Sequence, residues 1–217
     1  QQIETNPFLN NHEDINNICL NSGVSMTSVT YDAAMQKPLV SNGKVNNAEV
    51  TLLGKVLENA RALGVKILVL PLVDESSVSD RDYTLYVKLL NYIGEKFLDY
   101  DLKIAIESDF IPKKLINFIE DIDCDWIGIN YDIGNSAALG YNFDEEMKLT
   151  GKKILNIHVK DRPFGGATCP FGEGSYGLKN KINVLHRLRP SSNLIIQGAR
   201  SAVGNDVGIA AQYFEYI

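Results

Sequence analysis

The chain has 217 residues, 45% of them apolar and 22% charged, which is the composition of one ordinary domain with a sizeable core and excludes a disordered or fibrous chain. Its formal net charge of -6, with no local Lys/Arg cluster to reverse it, speaks against nucleic acid and other polyanions as partners. No run approaches the ~18 apolar residues of a membrane span and nothing at the start resembles a signal peptide, so no membrane partner is expected either.

Residues 1–11 are polar and contain Pro7, with Ile3-Glu4 read as the end of a strand. Ile15, Ile18 and Cys19 recur at helical spacing and stop at Gly23, which predicts a helix over 12–22. A strand over 24–30 and a Gly/Asn/Pro-rich loop over 37–47 follow. Residues 50–63 repeat apolar positions every three or four places and end at Gly64, a helix. The run Val65-Lys66-Ile67-Leu68-Val69-Leu70-Pro71 is aliphatic and β-branched, a strand. Leu85, Leu89, Ile93 and Phe97 share one face of a helix over 80–99. A strand at 103–107 precedes a helix over 112–121, whose first turn suits Pro112. The strand 126–132 ends with Asp132 at a Gly-Asn turn, and a helix at 143–150 follows. The remainder reads as strand 153–160, Gly-rich loop 162–177, helix 178–188, strand 193–197 and helix 203–217. Cys19, Cys124 and Cys169 are odd in number, far apart and without metal-ligand spacing; they fit reduced, packed thiols of a cytoplasmic protein.

Strand and helix alternate six times, and the strands are nearly uninterrupted apolar runs, which points to a parallel sheet covered by helices. A doubly wound sheet would place a Gly-rich phosphate fingerprint after an early strand, and there is none. A TIM (β/α)8-type barrel instead carries functional residues at the C-terminal ends of several strands, as this sequence does. The expected architecture is therefore α/β, one barrel domain over 1–217. Two strands are unassigned and the length falls below the ~250 residues usual for that fold, so the first one to two βα units are expected to be missing or disguised. The opening residue, Gln1 rather than Met, fits a processed start or the end of a fragment.

Four successive strands end in a potential metal ligand: Glu107, Asp132, His158 and Gln197. In a barrel these ends converge on one mouth and offer three oxygen ligands and one imidazole to a divalent cation, Mn, Mg, Co or Zn. Taken singly, each has a bland explanation, a solvated or helix-capping carboxylate or a packed histidine; four in register weigh more than one. Past the strand ends, Arg162 and Arg200 are of the type that grips a phosphate or carboxylate, although loop charges serve solubility as often. Alternation places Lys160 on the face of His158. Asn135 could meet a substrate hydroxyl or merely complete its turn. The loop 162–174 has Gly165-Gly166 to hinge on and could close over a substrate or be an ordinary connection. His12 and His186 read as helix-face residues.

The segments Ile106-Glu107, Gly128-Ile129-Asn130-Tyr131-Asp132-Ile133-Gly134-Asn135, His158-Val159-Lys160-Asp161 and Gly172-Glu173-Gly174 together resemble the sugar phosphate isomerase/epimerase superfamily of xylose-isomerase-like barrels. The resemblance implies one divalent metal held by a Glu, an Asp, a His and a second Glu, with the two Glu residues exchanging a proton with a substrate carbon. By position these are Glu107, Asp132 and His158, with Gln197 where the second Glu is expected. A Gln amide oxygen can hold a hard cation but cannot accept a proton at neutral pH. Glu107 is then the expected catalytic base, either acting alone on metal-bound substrate, which gives aldose-ketose isomerisation or elimination, or with Lys160 or Glu173 in place of the absent group. The implied activity is isomerisation or epimerisation of a sugar or sugar phosphate through an enediolate. Substrate contacts are expected from Asn135, Lys160, Arg162, Glu173 and Arg200, and a homodimer is compatible with the resemblance. The competing reading is a degenerate barrel that binds sugar without turnover. A trinuclear-zinc DNA repair enzyme of the same superfamily would need many His ligands, and this chain has three His in all.

Overall fold

The computed structural model describes residues 6–99, 101–201 and 203–217, so the strand expected at Ile3-Glu4 lies outside the described residues. The short helices α1 (Pro7–Asn10) and α2 (His12–Ser22) come first. α2 ends where its apolar spacing ends: Gly23 turns left-handed at φ 66°, and its amide closes the last turn. Strand β1 (Ser28–Thr30) covers only the last part of the extended segment expected over 24–30. The expected loop over 37–47 holds a hairpin, β2 (Val40–Ser41) and β3 (Lys44–Val45). Asn42 and Gly43 both take positive φ between them, as a two-residue Asn-Gly hairpin turn requires.

Helix α3 (Asn47–Ala62) starts at Asn46, whose side chain accepts the Glu49 amide. Then come β4 (Ile67–Leu72), α4 (Tyr83–Phe97), β5 (Lys103–Ser108), α5 (Pro112–Asp121) and β6 (Ile127–Asp132). Directly after β6 the structure departs from the expected Gly-Asn turn. The Asp132 side chain accepts the Asn135 amide at 2.8 Å and thereby caps a helix, α6 (Ile133–Leu139). The remaining elements are α7 (Phe143–Thr150), β7 (Ile154–Val159), α8 (Leu178–Leu188), β8 (Asn193–Ile196) and α9 (Asp206–Tyr216). β1, β4, β5, β6, β7 and β8 follow one another in the sheet in chain order, and β2–β3 stand apart as their own ribbon. No helix of the described residues is long and apolar enough to cross a membrane.

The chain divides into two compact units, residues 1–109 with 117–128, and residues 110–116 with 129–217. In the first, every residue of β4 is buried, and Leu53 and Leu57 of α3 and Tyr86, Leu90 and Ile93 of α4 complete the core. Parallel pairing sets Ser28 beside Ile67 and Ile67 beside Lys103. In the second, β7 pairs with β6 and with β8, both parallel. Leu178, Ile182 and Leu185 form the buried stripe of α8.

Candidate metal centre

Polar and apolar side chains alternate along β6 and β7. Asn130 and Asp132 alternate with Ile129 and Tyr131 on β6; Asn156 and His158 alternate with Ile157 and Val159 on β7, and Lys160 continues that row past the strand end. A period of two puts each polar set on one face of the sheet. A shift in register then brings the two rows together. Ile129 pairs with Ile154, but Asn130 pairs with Asn156 and Asp132 with His158. Leu155 is the residue skipped, as at a bulge; had the register of Ile129 continued, Asn130 would face Leu155 and Asp132 would face Ile157.

Asn130, Asp132, Asn156 and His158 are each at most 4% exposed, so the bonds among them are made away from water. Asn156 Nδ2 donates to Asn130 Oδ1 at 2.7 Å, and Asn130 Nδ2 lies 3.1 Å from His158 Nδ1. In this orientation Nδ1 accepts and the ring proton sits on Nε2. Turning over both amides instead lets Nδ1–H donate to Asn130 and leaves the lone pair on Nε2. Either way the two asparagines fix the plane of the imidazole, as outer partners do at metal-binding histidines.

Asp132 is the hub. Its Oδ1 caps α6, while Oδ2 lies 3.9 Å from His158 Nδ1 and 2.8 Å from Lys160 Nζ. A Cβ on Gly134 would come within 2.9–3.0 Å of the Lys160 Cβ, Cγ and carbonyl oxygen. Glycine at 134 therefore lets the lysine stem pass close to α6 and reach the carboxylate. A buried carboxylate oxygen turned toward an imidazole is the donor chemistry that suits a divalent cation.

Arg162 is tied inward. Its Nη1 donates to Asn135 Oδ1 at 2.7 Å and its Nε to the Gly166 carbonyl at 2.8 Å, so two of the expected substrate contacts hold each other and the start of the Gly-rich loop. Glu173, Gln197 and Arg200 are exposed. The β8 residue level with His158 is Ile195; Gln197 stands two residues further on, its backbone N–H donating to the Val159 carbonyl. Glu107 belongs to the first unit, next to last in β5, half-buried and level with Pro71 of β4.

Sequence reasoning missed Asn130 and Asn156, although their two-residue spacing from Asp132 and His158 was a usable signal. It also missed two supporting clusters. On the other face of β6, Glu146 of α7 accepts from Tyr131 Oη at 2.7 Å, Ser136 Oγ at 2.8 Å and Tyr176 Oη at 3.4 Å. Burial pushes the Glu146 carboxyl above its usual range while those hydroxyls draw it back, and burial together with the Glu146 charge pushes the Tyr131 phenol up. Tyr131 and Ser136 lie on either side of Asp132 in the chain, so Glu146 braces the strand end that carries it. Farther along, buried Asp161 accepts the Gly172 amide at 2.8 Å, and a Cβ on Gly174 would overlap its carboxylate. Asp161 thus anchors the Gly172-Glu173-Gly174 segment.

Comparison with known proteins agrees with the fold. A family model described as xylose isomerase-like TIM barrel matches residues 8–199. Among curated relatives, the probable L-ribulose-5-phosphate 3-epimerase of Mycoplasma pneumoniae is 25% identical over 201 residues, 87% of this chain and 63% of that relative, so the chain spans less than two thirds of its length. A xylose isomerase domain protein from Planctomyces limnophilus superposes with a TM-score of 0.78 at 16% identity, over 95% of this chain and 81% of that one. A xylose isomerase-like TIM barrel protein from Mycobacterium smegmatis in complex with magnesium gives 0.74 at 16% identity, over 94% and 75%. With six strands in chain order, helices between them and polar residues gathered at strand ends, the chain belongs to the xylose isomerase-like TIM barrel family.

Proposed function

We propose that this protein is a metal-dependent isomerase or epimerase acting on a sugar or sugar phosphate. The observation that carries the proposal is the buried Asp132–His158 pair, aligned by the Leu155 bulge and fixed by two asparagines, at the ends of parallel strands. The name of the Mycoplasma pneumoniae relative supports a pentulose phosphate as the substrate type, and the magnesium of the Mycobacterium smegmatis protein supports a divalent cation. Asp132 and His158 supply a carboxylate and an imidazole of the kind that holds a metal ion, and the family resemblance puts forward Glu107 and the Gln197 amide oxygen as further donors. Mn, Mg, Co and Zn all suit such a set. The cation would supply Lewis acidity, acidifying the C–H between a substrate carbonyl and hydroxyl.

The chain's own groups do the rest. Glu107 takes the proton from carbon, leaving an enediolate, and Asp132 and His158 serve as ligands. Gln197 cannot return a proton, so Lys160 is the group assigned to donate one, with Glu173 the alternative. Arg162, already oriented by Asn135, and Arg200 take the substrate phosphate. The substitution of Gln197 for a carboxylate favours one competing reading, a barrel that binds sugar without turning it over. Solvent deuterium separates the two. Metal-loaded protein is expected to exchange a carbon-bound proton of a ketose or ketose phosphate, and protein stripped by chelator is not. Failure of the metal-loaded protein to exchange any proton across a broad sugar panel would overturn the catalytic reading, and sugar binding without exchange would establish the other.

A further inference from the structure

We propose that Lys160 is an internal counter-ion that holds the cation's place on Asp132 and must let go before a divalent metal binds. The inference rests on the metal site proposed above. Asp132 has two carboxylate oxygens, and Oδ1 is committed to the Asn135 amide as the cap of α6. Oδ2 lies on the side of the His158 ring, 3.9 Å from Nδ1. The Lys160 ammonium sits 2.8 Å from that same oxygen. The two side chains are 15% and 2% exposed, so solvent screens the contact far less than it would a surface pair. A monovalent and a divalent cation sharing one carboxylate oxygen repel each other by the same rule. The lysine stem is flexible, carries a point charge and retains an opening to solvent, so it can swing away. Gln197 adds weight to the competition, because a neutral amide offers the incoming metal no charge with which to outbid the ammonium. Metal loading would then have a second effect: it frees the ammonium for the substrate.

Calorimetric titration of Mn²⁺ into chelator-stripped protein tests this without reference to turnover. Lys160→Met is expected to bind Mn²⁺ about tenfold or more tightly than the unmodified protein, while Lys160→Arg, which keeps the charge, stays within about threefold. Lys160→Gln removes the charge but keeps a polar group beside Asp132, and it should tighten binding in the same direction if the Met variant folds poorly. Melting temperatures give a second readout: the uncharged variants should melt lower without Mn²⁺, their buried carboxylate having lost its counter-ion, and gain more on adding it. Equal or weaker Mn²⁺ binding by both uncharged variants overturns the competition and leaves the metal site standing. No Mn²⁺ binding by any form overturns the site itself.

Discussion

Strands β4 and β7 are each six residues long, lie in parallel pairings and are almost wholly buried, yet they do opposite work. β4 reads Ile67-Leu68-Val69-Leu70-Pro71-Leu72, apolar on both faces, and its burial stabilises the fold by taking hydrocarbon out of water. β7 reads Ile154-Leu155-Asn156-Ile157-His158-Val159, apolar on one face and polar on the other. Its polar face reaches the same depth, with Asn156 and His158 at most 1% exposed, and must be held there by hydrogen bonds that only offset lost hydration. Depth of burial therefore does not separate scaffold from site in this protein. The separation lies in whether both faces of a strand are apolar or one of them is polar and paired.

That contrast makes unequal predictions for the two strands. Leu68, fully buried in β4, should lose about 2–5 kcal/mol of stability on truncation to Ala, with no change in the Mn²⁺ affinity of the protein that remains folded. Urea denaturation and calorimetry read the two quantities. Asn130→Ala should do the reverse. It removes the amide beside His158, so Mn²⁺ affinity should fall about ten- to hundredfold, while stability drops by about 1–2 kcal/mol for the Asn156 amide left without its acceptor. The contrast breaks if Leu68→Ala weakens the metal as much as Asn130→Ala does.

The scaffold half of this picture was legible in the sequence, because unbroken aliphatic runs such as 65–71 and helix stripes such as Leu85-Leu89-Ile93 announce themselves. Several short elements were not, helix α1 among them. The β2–β3 hairpin has two residues per strand, too few for a period, although Asn42-Gly43 carried the turn chemistry. Helix α6 hid behind Gly134 and Asn135, residues that read as a turn until the Asp132 carboxylate caps them. Of the site, Asp132, His158 and Lys160 could be named from their strand ends and are brought together. Their alignment could not be read, because it hangs on the bulge at Leu155, and one inserted residue leaves no mark in composition or period. Asn135 and Arg162 were assigned to substrate as separate residues, but side-chain direction joins them to each other.

Glu146 shows the same limit and gives the finest test of the contrast. In sequence it is the third of three acidic residues, Asp144-Glu145-Glu146, at the start of a helix; its two predecessors are exposed and it alone is buried. Three hydroxyls reach it and burial raises its carboxyl above the ordinary 4.5. The folded protein thus holds that proton more tightly than the unfolded chain does. A carboxyl raised on folding contributes its stability below the unfolded value and loses it as pH rises from there through the folded value. Glu146→Gln has nothing to ionise, and its amide can both donate to and accept from the surrounding hydroxyls. As pH rises from 4.5, the stability of the unmodified protein should therefore fall relative to that of the variant, by less than the loss expected for Asn130→Ala. Parallel pH profiles would mean that Glu146 ionises in place without cost. The buried polar groups around β6 would then be as cheap to hold as the hydrocarbon of β4, and the distinction between the two strands would rest on metal affinity alone.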